Sequence, residues 1–112
     1  MHSPLRQQLI EQVLHVIAQS RPLVEAIARR DRDLGSQVRR ALSSVALSVS
    51  EGFGSAAGNA RLRFEGARGS LYEAQAGLRV AAAWGYVSAE ECAAVLGAID
   101  RLGARVFGLS RR

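Results

Sequence analysis

The sequence predicts an all-α protein, an antiparallel up-down four-helix bundle forming one domain over residues 1–112. Three observations predict it. Apolar residues recur at gaps of three and four in four successive segments, the period of one face of an α-helix. Cap and turn residues punctuate the chain between those segments. No run of alternating Val, Ile and Thr competes for a strand, and no internal repeat is visible.

The first helix opens at Ser3-Pro4, a side-chain cap followed by a first-turn proline. Its stripe reads Leu9, Val13, Val16, Ser20, Val24 and Ile27. Pro22 removes one hydrogen bond and crowds the preceding turn, yet the apolar phase runs across it without a slip. One helix kinked at Pro22 is therefore expected. A second helix is expected from about Gly35-Ser36, with Val38, Leu42, Val45 and Val49 on its core face and Gly52 as a left-handed terminator. Phe53 to Gly58 reads as a loop, and Asn59 as the cap of a third helix. The third stripe is Phe64, Ala67, Leu71, Ala74, Leu78 and Ala81, ended by Trp84-Gly85-Tyr86. Ser88 with Glu91 three residues later is a capping box for the fourth helix. Val95, Ile99, Leu102, Val106 and Leu109 form its stripe, and Ser110-Arg111-Arg112 reads as a loose tail.

Composition limits how well such a bundle stands alone. Hydrophobic residues make up 48% of the chain, but 19 of them are alanine and only six are aromatic. A chain of this length buries roughly two-thirds of its unfolded surface. Large side chains supply most of the burial free energy, about 1.5–3 kcal/mol each. The thin core points to self-association. One cysteine, Cys92, makes no internal disulfide, and it cannot complete a zinc site with His2 and His15. No apolar run has membrane-spanning length, and no export signal is visible, so a cytoplasmic protein without membrane attachment is expected.

Fifteen arginines and no lysine oppose ten acidic residues, a net charge of +5. Such a surplus suits an anionic partner, RNA or DNA above all. The arginines form clusters: Arg29, Arg30, Arg32 and Arg39 near the turn between helices one and two, Arg61, Arg63 and Arg68 early in helix three, and Arg101, Arg105, Arg111 and Arg112 near the end. Six aromatic residues are too few to suggest stacking platforms for bases.

Beside the core stripe of helix two runs a second line: Gln37, Arg40, Ser44, Ser48 and Glu51. Helix three carries Gly66, Gly69, Ser70 and Gly77. Interior glycines cost about 0.8–1.0 kcal/mol each relative to alanine, so close backbone approach is the expected return. Two placements satisfy this, a contact between subunits or tight packing of helices two and three within one. Arg40 could form a bidentate pair with Glu73, locking helices or subunits together.

The order Gln37-Val38-Arg39-Arg40-Ala41, Ser48-Val49-Ser50-Glu51-Gly52-Phe53-Gly54, Phe64, Gly69-Ser70-Leu71-Tyr72-Glu73 and Gly85-Tyr86 resembles the bacterial four helix bundle protein family. That family includes proteins encoded in intervening sequences of large-subunit ribosomal RNA genes and the accessory variability determinant of diversity-generating retroelements. The resemblance spans residues 34–87. Ser48 stands where the family has Asn, Ser50 where it has a small apolar residue, and Ser55 where it has a basic one. The resemblance implies a homopentameric ring with a basic surface and no enzymatic activity. For the retroelement members it also implies association with a reverse transcriptase and nucleic acid.

Other motifs carry little chemistry. Gly52 to Gly58 lacks the Lys-Ser/Thr ending and preceding strand of a phosphate-binding loop. His15 has no orienting partner, Cys92 suits a buried helix position, and Trp84 and Tyr86 are expected to plug one end of the bundle. The expected function is a non-enzymatic, homo-oligomeric scaffold that binds RNA or DNA and needs neither metal nor cofactor. A protein-interaction scaffold whose arginines serve solubility and ion pairing fits the same features.

Overall fold

The computed structural model describes residues 3–111; Met1, and with it the His2 and Arg112 named above, lies outside the described residues. Four helices follow in order: α1 (Pro4–Arg30), α2 (Arg32–Phe53), α3 (Ala57–Ala83) and α4 (Ala89–Ser110). No strand occurs among the described residues. The helices pack antiparallel in sequence order into a rod 43 × 21 × 19 Å; among adjacent helices α2 and α3 are in the most extensive contact and α1 and α4 in the least.

The caps explain where each helix begins. Ser3 accepts from the Arg6 amide at 2.9 Å, and Pro4 follows in the first turn. α1 then runs unbroken through Pro22. Its buried face is Leu9, Val13, Val16, Ser20, Leu23 and Ile27. Leu23 takes the place expected of Val24, because gaps of three and then four fit the periodicity as well as the reverse. Ser20 satisfies itself by donating to the Ile17 carbonyl at 2.8 Å.

A single residue, Asp31, joins α1 to α2, and its carboxylate accepts from the Leu34 amide at 3.0 Å. α2 thus starts three residues before Gly35. Gly35 is instead a buried helical position where the two backbones meet: an added Cβ would lie 2.7–2.9 Å from the Ala28 Cβ, Cα and N. Gly52 is likewise not a terminator. It is helical and buried, and a Cβ there would lie 2.7 Å from the Phe64 ring. That ring meets Phe53 edge to face at 5.3 Å. α2 ends at Phe53, leaving only Gly54, Ser55 and Ala56 as connection. α3 alone starts without a side-chain cap: it begins at Ala57, the Ala60 amide donates to the Ala56 carbonyl at 2.7 Å, and Asn59 lies inside the first turn.

Phe64, Ala67, Leu71, Ala74, Leu78 and Ala81 are the buried face of α3, as the periodicity predicts. Its end is set by Gly85, whose φ of 79° is the positive value a glycine adopts without strain. Tyr86 packs partly against the core, whereas Trp84 is 69% exposed and plugs nothing. Ser88 and Glu91 form the reciprocal capping box, at 3.0 and 2.8 Å. α4 buries the five expected stripe residues together with Cys92 and Ala98. It continues through Ser110, which is buried and donates to the Phe107 carbonyl, so the tail begins later than expected.

Candidate functional site

The serines and glycines of α2 and α3 divide between the two placements left open by the sequence. Ser70 donates to Ser44 across the α2–α3 contact at 3.1 Å. A Cβ on Gly77 would stand 2.6 Å from Val38 Cγ2, so this glycine admits a valine of the same subunit. Gly66 faces Ser48 loosely, with Oγ 4.0 Å from such a Cβ. Those five positions, Ser44, Ser48, Gly66, Ser70 and Gly77, serve packing within the chain wholly or in part. Gly69 differs: nothing lies within 4 Å of its added Cβ. Arg40, Glu51 and Glu73 are exposed. Arg40 does not pair with Glu73, since Arg21–Glu25 is the one ion pair among the described residues. The two side chains stand on outer flanks of α2 and α3 rather than across their contact.

The outer face of α3 carries a signal that glycine counting misses. Leu62, Gly66, Gly69, Ala76, Val80 and Trp84 follow one another at gaps of three, four and seven, opposite the core stripe. Leu62 is 64% and Trp84 69% exposed, and Val80 is also exposed. Leu47, 66% exposed, adds to the strip from α2. A helix apolar on two opposite faces is suited to burial on both. Glu73 lies at the centre of this face, with Arg40 and Glu51 on its α2 side. The sequence did contain this second stripe, but glycine and alanine dilute it.

Among the described arginines all but the half-buried Arg6 and Arg68 are exposed, and they are unevenly balanced. At the end of the bundle formed by the α1–α2 and α3–α4 connections, Arg29, Arg30 and Arg32 are met by Asp31, Asp33, Glu90 and Glu91. Arg30 also lies over the Tyr86 ring at 5.6 Å. Arg39 lines a shallow groove between α1 and α2 with Ile17, Val24, Leu42 and Ser43. Toward the opposite end, Arg6, Arg61, Arg63, Arg68, Arg101, Arg105 and Arg111 face only Glu11, Glu51, Glu65 and Asp100. Most of the net positive charge therefore belongs to that half.

Between α3 and α4 in the same half lies a groove of ≈ 500 Å³ with Leu71, Ile99 and Gly103 among its lining. The Arg68 guanidinium sits 4.4 Å from the Phe107 centroid and 5.9 Å from that of Tyr72, and Arg111 sits 5.2 Å from Phe107. Gln75 donates to Asp100 at 2.6 Å across the groove. On the α1 side, Arg105 hydrogen-bonds Gln12.

Titratable chemistry is sparse. Hydrogen bonds from Ser88, the backbone one first, hold the Glu91 carboxyl below its ordinary range. Burial, and secondarily the Glu91 charge, pushes the Cys92 thiol up. Among the described residues no group of three or more His, Cys, Asp or Glu is placed to hold a metal ion. No helix is long and apolar enough to cross a membrane.

A family model described as 23S rRNA-intervening sequence protein matches residues 7–108. Comparisons with curated proteins and with solved structures find no match.

Proposed function

We propose that this chain, which belongs to the 23S rRNA-intervening sequence protein family, is a non-enzymatic scaffold that assembles with copies of itself and presents a basic surface to RNA or DNA. The observation that carries the reading is the outer face of α3, where Leu62, Val80 and Trp84 stand exposed along a line that also holds Gly66, Gly69 and Ala76. Large apolar side chains exposed in line on one helix face mark an interaction site. The open glycine lets a neighbouring backbone come close, and Arg40, Glu51 and Glu73 offer both signs of charge for a second copy to match. The homopentamer implied by the resemblance is the assembly we assign, acting in the cytoplasm alone or as accessory to a nucleic-acid enzyme such as a reverse transcriptase.

Assembly multiplies charge. Five copies at +5 each would carry about +25, enough for polyanion binding that weakens steeply with salt. Charge balance favours the half bearing Arg61, Arg63 and Arg68 over the end bearing Arg29, Arg30 and Arg32. The test is titration of labelled RNA and DNA from low to high salt with native protein and two double variants. Binding should fall steeply with salt, and Arg61→Ala/Arg63→Ala should weaken it more than Arg29→Ala/Arg30→Ala. Absence of binding at low salt would refute the nucleic-acid role and leave a protein-interaction scaffold.

A further inference from the structure

We infer that the α3–α4 groove is a stacking site for unpaired nucleotides, with Tyr72 as the base platform and Arg68 and Arg111, held over Phe107, as phosphate contacts. The inference rests on the nucleic-acid reading above and assigns it a place and a mode. Dispersal of aromatic residues along the chain argues against any platform, but folding brings two of the six together at one groove. Tyr72 is 61% exposed, and Phe107 is exposed beside it. Neither ring is consumed by the core.

The charges around these rings are unusual. Arg68 and Arg111 both approach Phe107, drawing two like charges to one ring, and neither is in an ion pair among the described residues. Neither acid close by pairs with them: Glu65 lies one turn from Arg68 and Asp100 lines the groove with a hydrogen bond from Gln75, but neither forms an ion pair. Cation–π attraction holds each guanidinium in place but cancels no charge. An anion beside the pair would offset both charges. Single strands present that combination, a phosphate beside a flat base, and bases stack on aromatic rings and guanidinium planes alike. A duplex keeps its bases stacked on each other and offers only the phosphate.

The experiment measures binding of an end-labelled oligouridylate and of a blunt duplex of equal length to the full chain, over a salt series. Tyr72→Ala should weaken oligouridylate binding about 5- to 150-fold, the range for loss of one stacked base, and leave duplex binding within about twofold. Its salt dependence should match the native protein's, because no charge is removed. Tyr72→Phe keeps the ring, loses only the hydroxyl that accepts from Arg68 at 3.4 Å, and should bind within about twofold of native. Arg68→Ala should weaken both ligands and lower the single-strand salt slope by about 0.7. Oligouridylate binding by Tyr72→Ala equal to native would overturn the stacking site while leaving the basic scaffold intact. A change in assembled mass on Tyr72→Ala would also overturn it, making the groove a subunit seam. If native protein binds neither ligand at low salt, the parent reading falls and the groove site with it.

Discussion

Gly35→Ala is the substitution by which the tight α1–α2 hairpin is best probed. Asp31 alone separates the two helices, so their backbones are still close one turn later, where Gly35 faces Ala28. A Cβ there would lie 2.7 Å from Ala28 Cβ, 2.8 Å from its Cα and 2.9 Å from its N. Carbon atoms pack best about 3.5–4.0 Å apart, so the helices must separate by roughly 0.7 Å or more. Two of the three obstructing atoms are backbone, and no rotamer change relieves them. The shift loosens Ile27 and Val38, both fully buried next to the contact. Overpacking of this kind costs about 1–3 kcal/mol. Alanine returns about 0.5–1 kcal/mol of that through helix preference. The net loss is about 1–2 kcal/mol, or about 4–8 °C in Tm for a chain of this size. Thermal unfolding followed by circular dichroism at one fixed protein concentration is the assay, because self-association makes Tm concentration-dependent. Gly108→Ala is the internal control: nothing lies within 4 Å of its added Cβ, so it should gain up to about 1 kcal/mol. Adding Ala28→Gly to Gly35→Ala should restore only part of the loss, since the backbone atoms remain. A Gly35→Ala protein as stable as native would refute the close backbone crossing.

Two further outcomes follow from the start of α4. Glu91 has its pKa lowered in the folded chain, so its contribution to stability is full above the unfolded glutamate value of about 4.3 and fades as pH falls through the lower folded value. Glu91→Gln should therefore be less stable than native at neutral pH, with the gap closing in acid; a gap that widens below pH about 4 would contradict the capping geometry. Cys92 is buried and its thiol is pushed up, so a thiol-reactive dye should label the native protein far more slowly than the denatured one. Equal rates would mean that the α4 core face opens readily.

Much of the fold is legible in the sequence because core burial dominates the pattern. The α3 and α4 stripes are continuous in phase, and the Ser88–Glu91 box is local chemistry needing no tertiary partner. What failed were inferences from glycine. Gly35 and Gly52 resemble helix boundaries by composition, yet both are helical residues whose missing Cβ admits Ala28 and the Phe64 ring. The steric demand of a residue on another helix leaves no local trace, so composition points to Gly35 while the boundary lies at Asp31. Leu23 and Val24 both satisfy helical spacing, and only packing decides between them. The candidate site was legible in part. Small residues on α2 and α3 signalled close approach, but sequence could not say that Gly77, Ser44 and Ser70 serve the chain itself while Gly69 stays open. Trp84, read as an end plug, belongs to the exposed face. The pairing of Tyr72 with Phe107 joins residues on different helices, beyond the reach of any spacing rule.

The measurement that bears most directly on self-assembly is sedimentation equilibrium of the native chain at micromolar concentration beside Trp84→Glu and Gly69→Trp. Native protein is expected at about five times the 12.0 kDa chain mass, with both variants, each still helical, shifted toward the single chain. A native protein that sediments as a 12.0 kDa monomer, or variants that keep the native mass, would contradict burial of the outer α3 face between copies.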